Sequence, residues 1–268
     1  MLTKLKELIK YRQLILTLVS RELKAKYRGT VLGFLWSFMN PLLLVVVYSV
    51  VFGFIFQPRY ADMEKPIFYS LFFFSGILPW TWFSSSLLES SNVLMIHGPM
   101  IKKIQFPVEV LPIMVVTSNM VHFLLGLPIL IISYLVLGKA LTAWVLFLPV
   151  ALLVQFIFTM GLAFLISALT VHFRDIKDIL VNLLTLWFFS TPIIYPFSFH
   201  TIQNSKVLKT LLALNPMTHI IEAYQFTFFY GDLPHYKRLS ITVLVGLVFF
   251  FFGYLIFDKL RDTYVEEV

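Results

Sequence analysis

The sequence predicts an all-α integral membrane protein built on six transmembrane helices, and three observations carry that prediction. Of 268 residues, 59% are hydrophobic and 13% charged, with a mean hydropathy of +0.86; soluble domains hold roughly 45–50% apolar and about 25% charged residues. Six stretches free of Asp, Glu, Lys and Arg, at 31–56, 67–88, 110–138, 140–171, 179–199 and 239–257, together cover more than half of the chain. Each is close to or beyond the about 20 residues that a helix needs to cross a hydrocarbon core. None alternates apolar and polar residues as a barrel strand does, which excludes a β-barrel.

The first apolar run begins only at Val31, after a charge-rich stretch, too late and too long for a cleaved leader. Within residues 4–26, Leu5, Leu8, Ile9, Ile15, Leu16, Val19 and Leu23 recur at helical spacing among Lys and Arg. That is the pattern of an amphipathic helix lying in the interface. Residues 90–101 are uncharged but too few to span, are broken by Gly98-Pro99 and end in Lys102-Lys103, so this segment is expected to lie flat on the membrane surface, open to a soluble partner. Between the last two spans, 210–221 and 223–231 are apolar, short, and interrupted by Asn215-Pro216 and Glu222. They predict a re-entrant hairpin dipping in from outside, its irregular backbone shielded by protein.

Lys and Arg count 14 on the side that carries both termini and 7 on the other. The excess places both termini in the cytoplasm and the protein, as a multi-pass chain, in a cytoplasmic membrane. One transmembrane domain is expected over 1–268: an interfacial segment 1–30, a bundle 31–258 and a cytoplasmic tail 259–268. The net charge of +7 is thereby spent on topology and membrane contact, not on nucleic acid.

The chemistry is mostly exclusion. With no cysteine, the chain has no disulfide, thiolate metal site or cysteine nucleophile. No Gly-x-x-x-x-Gly-Lys-Ser/Thr, His-Glu-x-x-His or Gly-x-Ser-x-Gly occurs, so the chain has no ATP site of its own of that kind and no catalytic or metal constellation. No cofactor is expected in it. His122 is the one histidine inside a span, lining a polar cavity or bonded to a neighbouring helix. Glu89, Glu109 and Glu222 are the carboxylates near the membrane, functional or paired with basic neighbours. Aromatic residues make up 17%; Trp36, Trp80, Trp82 and Tyr195 fall near span ends, where interfacial belts form. Aromatic faces also suit sugars. Gly33, Trp36 and Asn40 on the first span, next to Pro41, and Asn182, Thr185 and Phe189 on the fifth lie at helical spacing; each stripe serves either a substrate pathway or ordinary helix packing.

Arg21-Glu22-Leu23-Lys24, Lys26-Tyr27-Arg28-Gly29-Thr30-Val31-Leu32-Gly33-Phe34-Leu35-Trp36 and Asn40-Pro41 resemble the N-terminal signature of ATP-binding-cassette permeases that export bacterial surface polysaccharides. Ser75-Gly76-Ile77-Leu78-Pro79-Trp80 with Phe83, Phe106-Pro107, Phe173-Arg174-Asp175-Ile176, Thr191-Pro192-Ile193-Ile194-Tyr195 and Asn215-Pro216 are similar to later landmarks of that family, in the same order. The resemblance runs over nearly the whole chain and includes the type-2 exporters of O-antigen, teichoic acid and capsule.

The resemblance implies a homodimer with two separate ATPase subunits, moving a lipid-pyrophosphate-linked glycan outward. It makes the N-terminal helix a gate at which Arg21, Lys24, Lys26, Tyr27 and Arg28 meet the diphosphate, since that anion needs paired positive charge. It makes residues 93–106 a coupling helix seated in the ATPase, through Met95, His97, Met100, Lys102, Lys103 and Phe106, with Arg174 and Asp175 as a second contact. It places Trp36, Asn40 and Phe189 on the conduit, and the hairpin over the exit. A drug or lipid exporter of the same architecture is the rival in class; a membrane-embedded glycosyl or acyl transferase is the rival in kind, lacking the carboxylate or histidine constellation it needs.

Overall fold

A computed structural model describes residues 10–51, 55, 66–103, 106–173 and 175–264. The chain starts with α1 (Arg12–Lys26), α2 (Trp36–Val50) and α3 (Pro66–Ser90). Two short helices, α4 (Val93–Ile96) and α5 (Gly98–Lys103), lead to α6 (Val110–Val136) and α7 (Leu148–His172). Then come α8 (Ile176–Phe189), α9 (His200–Asn204), α10 (Lys206–Leu214), α11 (Pro216–Gln225) and α12 (Tyr236–Lys259). No strand occurs among the described residues.

Among the described residues, five helical segments are long and apolar enough to cross a membrane: Gly33–Val50, Phe68–Ser90, Val110–Val136, Ala143–His172 and Tyr236–Lys259. The remaining expected run, 179–199, differs. Its helix α8 is 14 residues long, about 21 Å at 1.5 Å per residue, and stops at Phe189. Pro192 disfavours helical geometry at the residue before it, and Thr191, Ile193 and Phe197 instead fold as buried turns.

Helix α3 is the axle of the bundle. It contacts α2, α6, α7, α8 and α11 and buries Tyr69, Phe72, Phe73, Phe74, Trp80, Trp82 and Phe83. Trp80 and Trp82 therefore do not form an interfacial belt: Trp82 Nε1 donates to the Val116 carbonyl at 3.1 Å, and Trp80 packs on Phe83 and Phe188. Lacking an N–H, Pro79 breaks the helical ladder of α3, and its own carbonyl accepts from the buried Gln155 amide of α7 at 2.8 Å. The closest helix pair is α7 with α12. A Cβ on Gly161 would stand 2.4 Å from the Phe250 nitrogen, and one on Gly253 would stand 2.1 Å from the Gly161 carbonyl oxygen. Only glycine admits backbones this close.

The ends of the bundle divide the connections cleanly. At one end Glu109, preceding α6, pairs with Arg261, following α12, at 3.6 Å, and Thr263 lies 3.4 Å from His172 at the end of α7. At the other end Lys139, in the α6–α7 connection, lies over the rings of Phe68 and Phe229. The Tyr69 hydroxyl there donates to the Ile194 carbonyl. The hairpin expected between the last spans is α10 and α11, hinged at Asn215-Pro216. Met217 through Gln225 are all buried.

Candidate functional site

Helix α1 packs on the bundle through Leu18 and Val19, which are buried, and Tyr11, Leu14, Ile15 and Leu23, which are partly so. The expected face residues Leu5, Leu8 and Ile9 lie outside the described residues, and Leu16 is exposed. The five expected gate residues separate into two groups. Arg21, Lys24 and Arg28 line one open depression of about 740 Å³ with Leu16, Thr17, Ser20 and Ala25. No carboxylate lies within ion-pair distance of those three cations among the described residues.

Lys26 points the other way. Its Nζ stands 3.1 Å from Glu89 Oε1 at the end of α3, and the other oxygen of Glu89 accepts from Asn119 Nδ2 of α6 at 2.6 Å. Tyr27 lies against His122 of α6, hydroxyl to Nδ1 3.4 Å and rings edge-to-face at 5.7 Å, so His122 is bonded across helices. These contacts tie the end of α1 to α3 and α6. Immediately beyond, Gly29 at φ 79° and Gly33 at φ 51° turn the chain from α1 into α2 through conformations that other residues rarely adopt.

That turn corrects the first pathway stripe. Gly33 belongs to a short 3₁₀ turn, Gly33–Leu35, so it does not continue the helical face that carries Trp36 and Asn40. Asn40 is exposed and Trp36 half-buried. The second stripe holds together: Asn182, Thr185 and Phe189 are all exposed along α8, while Leu180 and Leu184 turn inward. Asn182 Nδ2 donates to the Asp178 carbonyl at 3.1 Å, and the Thr185 hydroxyl to the Val181 carbonyl at 2.9 Å. Their remaining polar capacity faces out from the stretch of α8 after Asp178, which is otherwise apolar.

One stripe escaped the sequence reading. Helix α3 touches both α2 and α8, and among its described residues Thr81 alone is exposed, with Ser84, Ser85 and Leu88 half-exposed. Their spacing of i, i+3, i+4 and i+7 puts three hydroxyls on one face of a membrane helix, a signal present within the 67–88 run but hidden by its aromatic density.

The expected coupling helix is two short helices, α4 and α5, broken at His97, whose Nδ1 stands 3.0 Å from the Val93 carbonyl. Ile96 is exposed at 63%; Pro99 and Lys102 are exposed too, and Met95, His97 and Met100 half-buried. Phe106 is 9% exposed and turns into the core, so it presents nothing to a partner. The Lys103 side chain and Arg174 lie outside the described residues; Asp175 is exposed at the start of α8. A cleft of about 440 Å³ runs between this segment and α1, lined by Arg21, Glu22, His97, Pro99 and Met100 among others.

At the opposite end, Asn215 is the hub of the hairpin. Its Oδ1 accepts from the Met217 N–H as the cap of α11 and from Trp187 Nε1 at 2.8 Å. Its Nδ2 donates to the Ser190 carbonyl and to the Thr191 hydroxyl. No group of three metal-ligating side chains is present among the described residues.

Comparison with known proteins bears on the whole of this arrangement. The model for a family described as ABC-2 type transporter matches residues 13–229. The chain is 38% identical to an O-antigen export system permease protein of Myxococcus xanthus, over 100% of each chain. It is 30% identical to an O-antigen export system permease protein of Klebsiella pneumoniae, over 94% of each. To a capsule polysaccharide export inner-membrane protein of Neisseria meningitidis it is 23% identical, over 92% of this chain and 91% of that one.

Proposed function

The chain belongs to the ABC-2 type transporter family, and from that premise we propose that it is the membrane subunit of an exporter that carries a lipid-pyrophosphate-linked polysaccharide outward across the bacterial inner membrane. The observation that carries the proposal is the end-to-end similarity to the Myxococcus permease at 38% identity. Similarity along the full length to permeases named for O-antigen and capsule disfavours a drug or lipid exporter. The absence of a phosphate-binding loop from the sequence supports a reading in which ATP is hydrolysed by separate subunits, two of them on a homodimer of this chain.

In this reading α1 lies along the cytoplasmic interface, and Arg21, Lys24 and Arg28 attract the diphosphate. Three cations on one face neutralise it with charge-assisted hydrogen bonds at the headgroup level. Lys26 and Tyr27 have a different role, holding the end of the gate to α3 and α6. The pair α4 and α5, with Ile96 and Pro99 outermost, docks in the ATPase and passes its motion to the bundle through α3 and α6. Trp36, Asn40, Asn182, Thr185 and Phe189 face the conduit between the two copies, beside the hydroxyl face of α3. Helix α8 with the buried turns after it completes a sixth crossing, which puts both termini in the cytoplasm as the Lys and Arg distribution requires.

The proposal is tested in cells by deleting the gene for this chain. Surface polysaccharide should disappear, lipid-linked glycan should accumulate on the inner leaflet, and both should be restored by the wild-type chain. Normal surface polysaccharide in the deletion strain would refute it.

A further inference from the structure

A second polar site lies at the end of the bundle opposite α1. A cavity of about 480 Å³ is walled by Phe197, Phe226, Tyr230, Glu222, Arg238 and Gln225, among others. Its size falls in the range of about 300–1,000 Å³ typical of small-molecule sites. Glu222 is 5% exposed and stands 3.6 Å from His219 Nδ1 and 3.7 Å from Arg238 Nη1. Both distances exceed hydrogen-bond reach, and Glu222 Oε2 accepts no hydrogen bond among the described residues. A buried carboxylate oxygen held by ion pairs alone, without a hydrogen bond, is costly, and Glu222 lines the cavity.

The remaining walls divide into ring faces and amides. Phe226 lies 5.0 Å from Tyr230 and 4.9 Å from His235, ring to ring, and Arg238 covers Phe197 at 5.3 Å. The Gln225 and Gln203 amide nitrogens are already spent on the Pro192 and Phe197 carbonyls, at 2.9 and 2.7 Å, which leaves each amide oxygen as an acceptor. Lys209 supplies donors at the rim. Aromatic faces beside a carboxylate whose Oε2 lacks a hydrogen bond, with donors and acceptors interspersed, match a pyranose: apolar C–H faces for the rings, hydroxyl donors for the Glu222 carboxylate. Arg238 is already paired with Glu222, so the buried part of the cavity offers a lipid phosphate no unpaired cation.

We infer that this cavity is a binding site for a single sugar residue of the exported glycan, at the outer end of the protein, with Glu222 accepting its hydroxyls and Phe226 and Tyr230 covering its apolar face. The inference rests on the exporter reading and adds to it a contact made after the glycan has crossed. It predicts that the site selects for sugar identity and leaves the lipid carrier unread.

The chain contains no cysteine, so Ser198→Cys, at the exposed rim, is a unique reporter. The full-length Ser198→Cys chain, in lipid nanodiscs free of sugar detergent, is labelled with a fluorescent maleimide. Labelling is repeated with each of a panel of methyl hexopyranosides, including the glucose, galactose, mannose and N-acetylglucosamine glycosides, or with glycerol phosphate. At about 10 mM sugar and a dissociation constant near 1 mM, occupancy slows labelling about tenfold. At least one glycoside should do this and glycerol phosphate should not. Glu222→Gln and, separately, Phe226→Leu should abolish the protection; their melting temperatures show that the hairpin still folds, and Phe226→Leu leaves the charge cluster intact should Glu222→Gln unfold it. No protection by any glycoside, protection by glycerol phosphate, or protection unchanged in a folded Phe226→Leu chain overturns the site. If cells lacking the chain still display surface polysaccharide, the exporter reading falls; if they do not and the glycosides fail to protect, the site alone falls.

Discussion

Single residues in this protein are specialised by partner more than by type. Lys26 and Lys24 are two positions apart, yet one is held by Glu89 while the other lines an open depression. The Lys26–Glu89 pair is roughly 40% exposed on each side, and exposed pairs contribute about 0–1 kcal/mol. Glu89→Gln should accordingly change stability by less than about 1 kcal/mol. A larger fall in the detergent melting temperature would mean the tie to Asn119 carries more than the charge pair. Asn215 is the contrasting case, since one half-buried amide caps α11 and binds Trp187, Ser190 and Thr191. Asn215→Ala removes the cap and strands the Trp187 N–H, at a cost of about 2 kcal/mol, or roughly 4–8 °C in melting temperature. An unshifted melting curve would dismiss the hub. The sequence marks Asn215-Pro216 as a break but gives no sign of these partners, because three of them lie 24 to 28 positions away.

Helices assign the work. Charge reversal of Arg21, Lys24 and Arg28 together should stop export while the complex still assembles, since these three side chains are exposed on and just beyond α1. Export at the wild-type level would remove the gate from the account. For the coupling segment, deletion of residues 94–106 should abolish co-purification with the ATPase. The milder Ile96→Glu, at an exposed apolar position, should weaken it without unfolding α3; full retention in both would relocate the contact. Helix existence was legible from run length and charge, and the inward placing of Ile15, Val19 and Leu23 on α1 from their spacing, though not the exposure of Leu16. The early end of α8 was not: an uncharged run records how far the chain avoids water, whereas Thr191-Pro192 ends the helix by backbone geometry. Gly33 misled in a similar way, fitting a helical spacing while occupying a φ of 51°.

The molecule as a whole is a bundle whose polar connections sort to two ends, with α3 in contact with nearly every other long helix. Its rigid side is α7 against α12. Gly161→Leu should eliminate folded, monodisperse protein, because the added side chain meets backbone atoms of Phe250 rather than a movable side chain; a monodisperse variant would show that the two helices separate freely. Its lightly packed side is α2 and α8, where apolar residues such as Leu43, Val47, Leu183 and Leu186 are exposed. The most direct measurement reconstitutes this chain with its ATPase in vesicles carrying a lipid-linked glycan in the leaflet on the ATPase side. A lectin added to the opposite compartment should bind glycan only after ATP is supplied, and not when Arg21, Lys24 and Arg28 are reversed. Lectin binding independent of ATP, or none with ATP present, would contradict export of a lipid-linked polysaccharide by this protein.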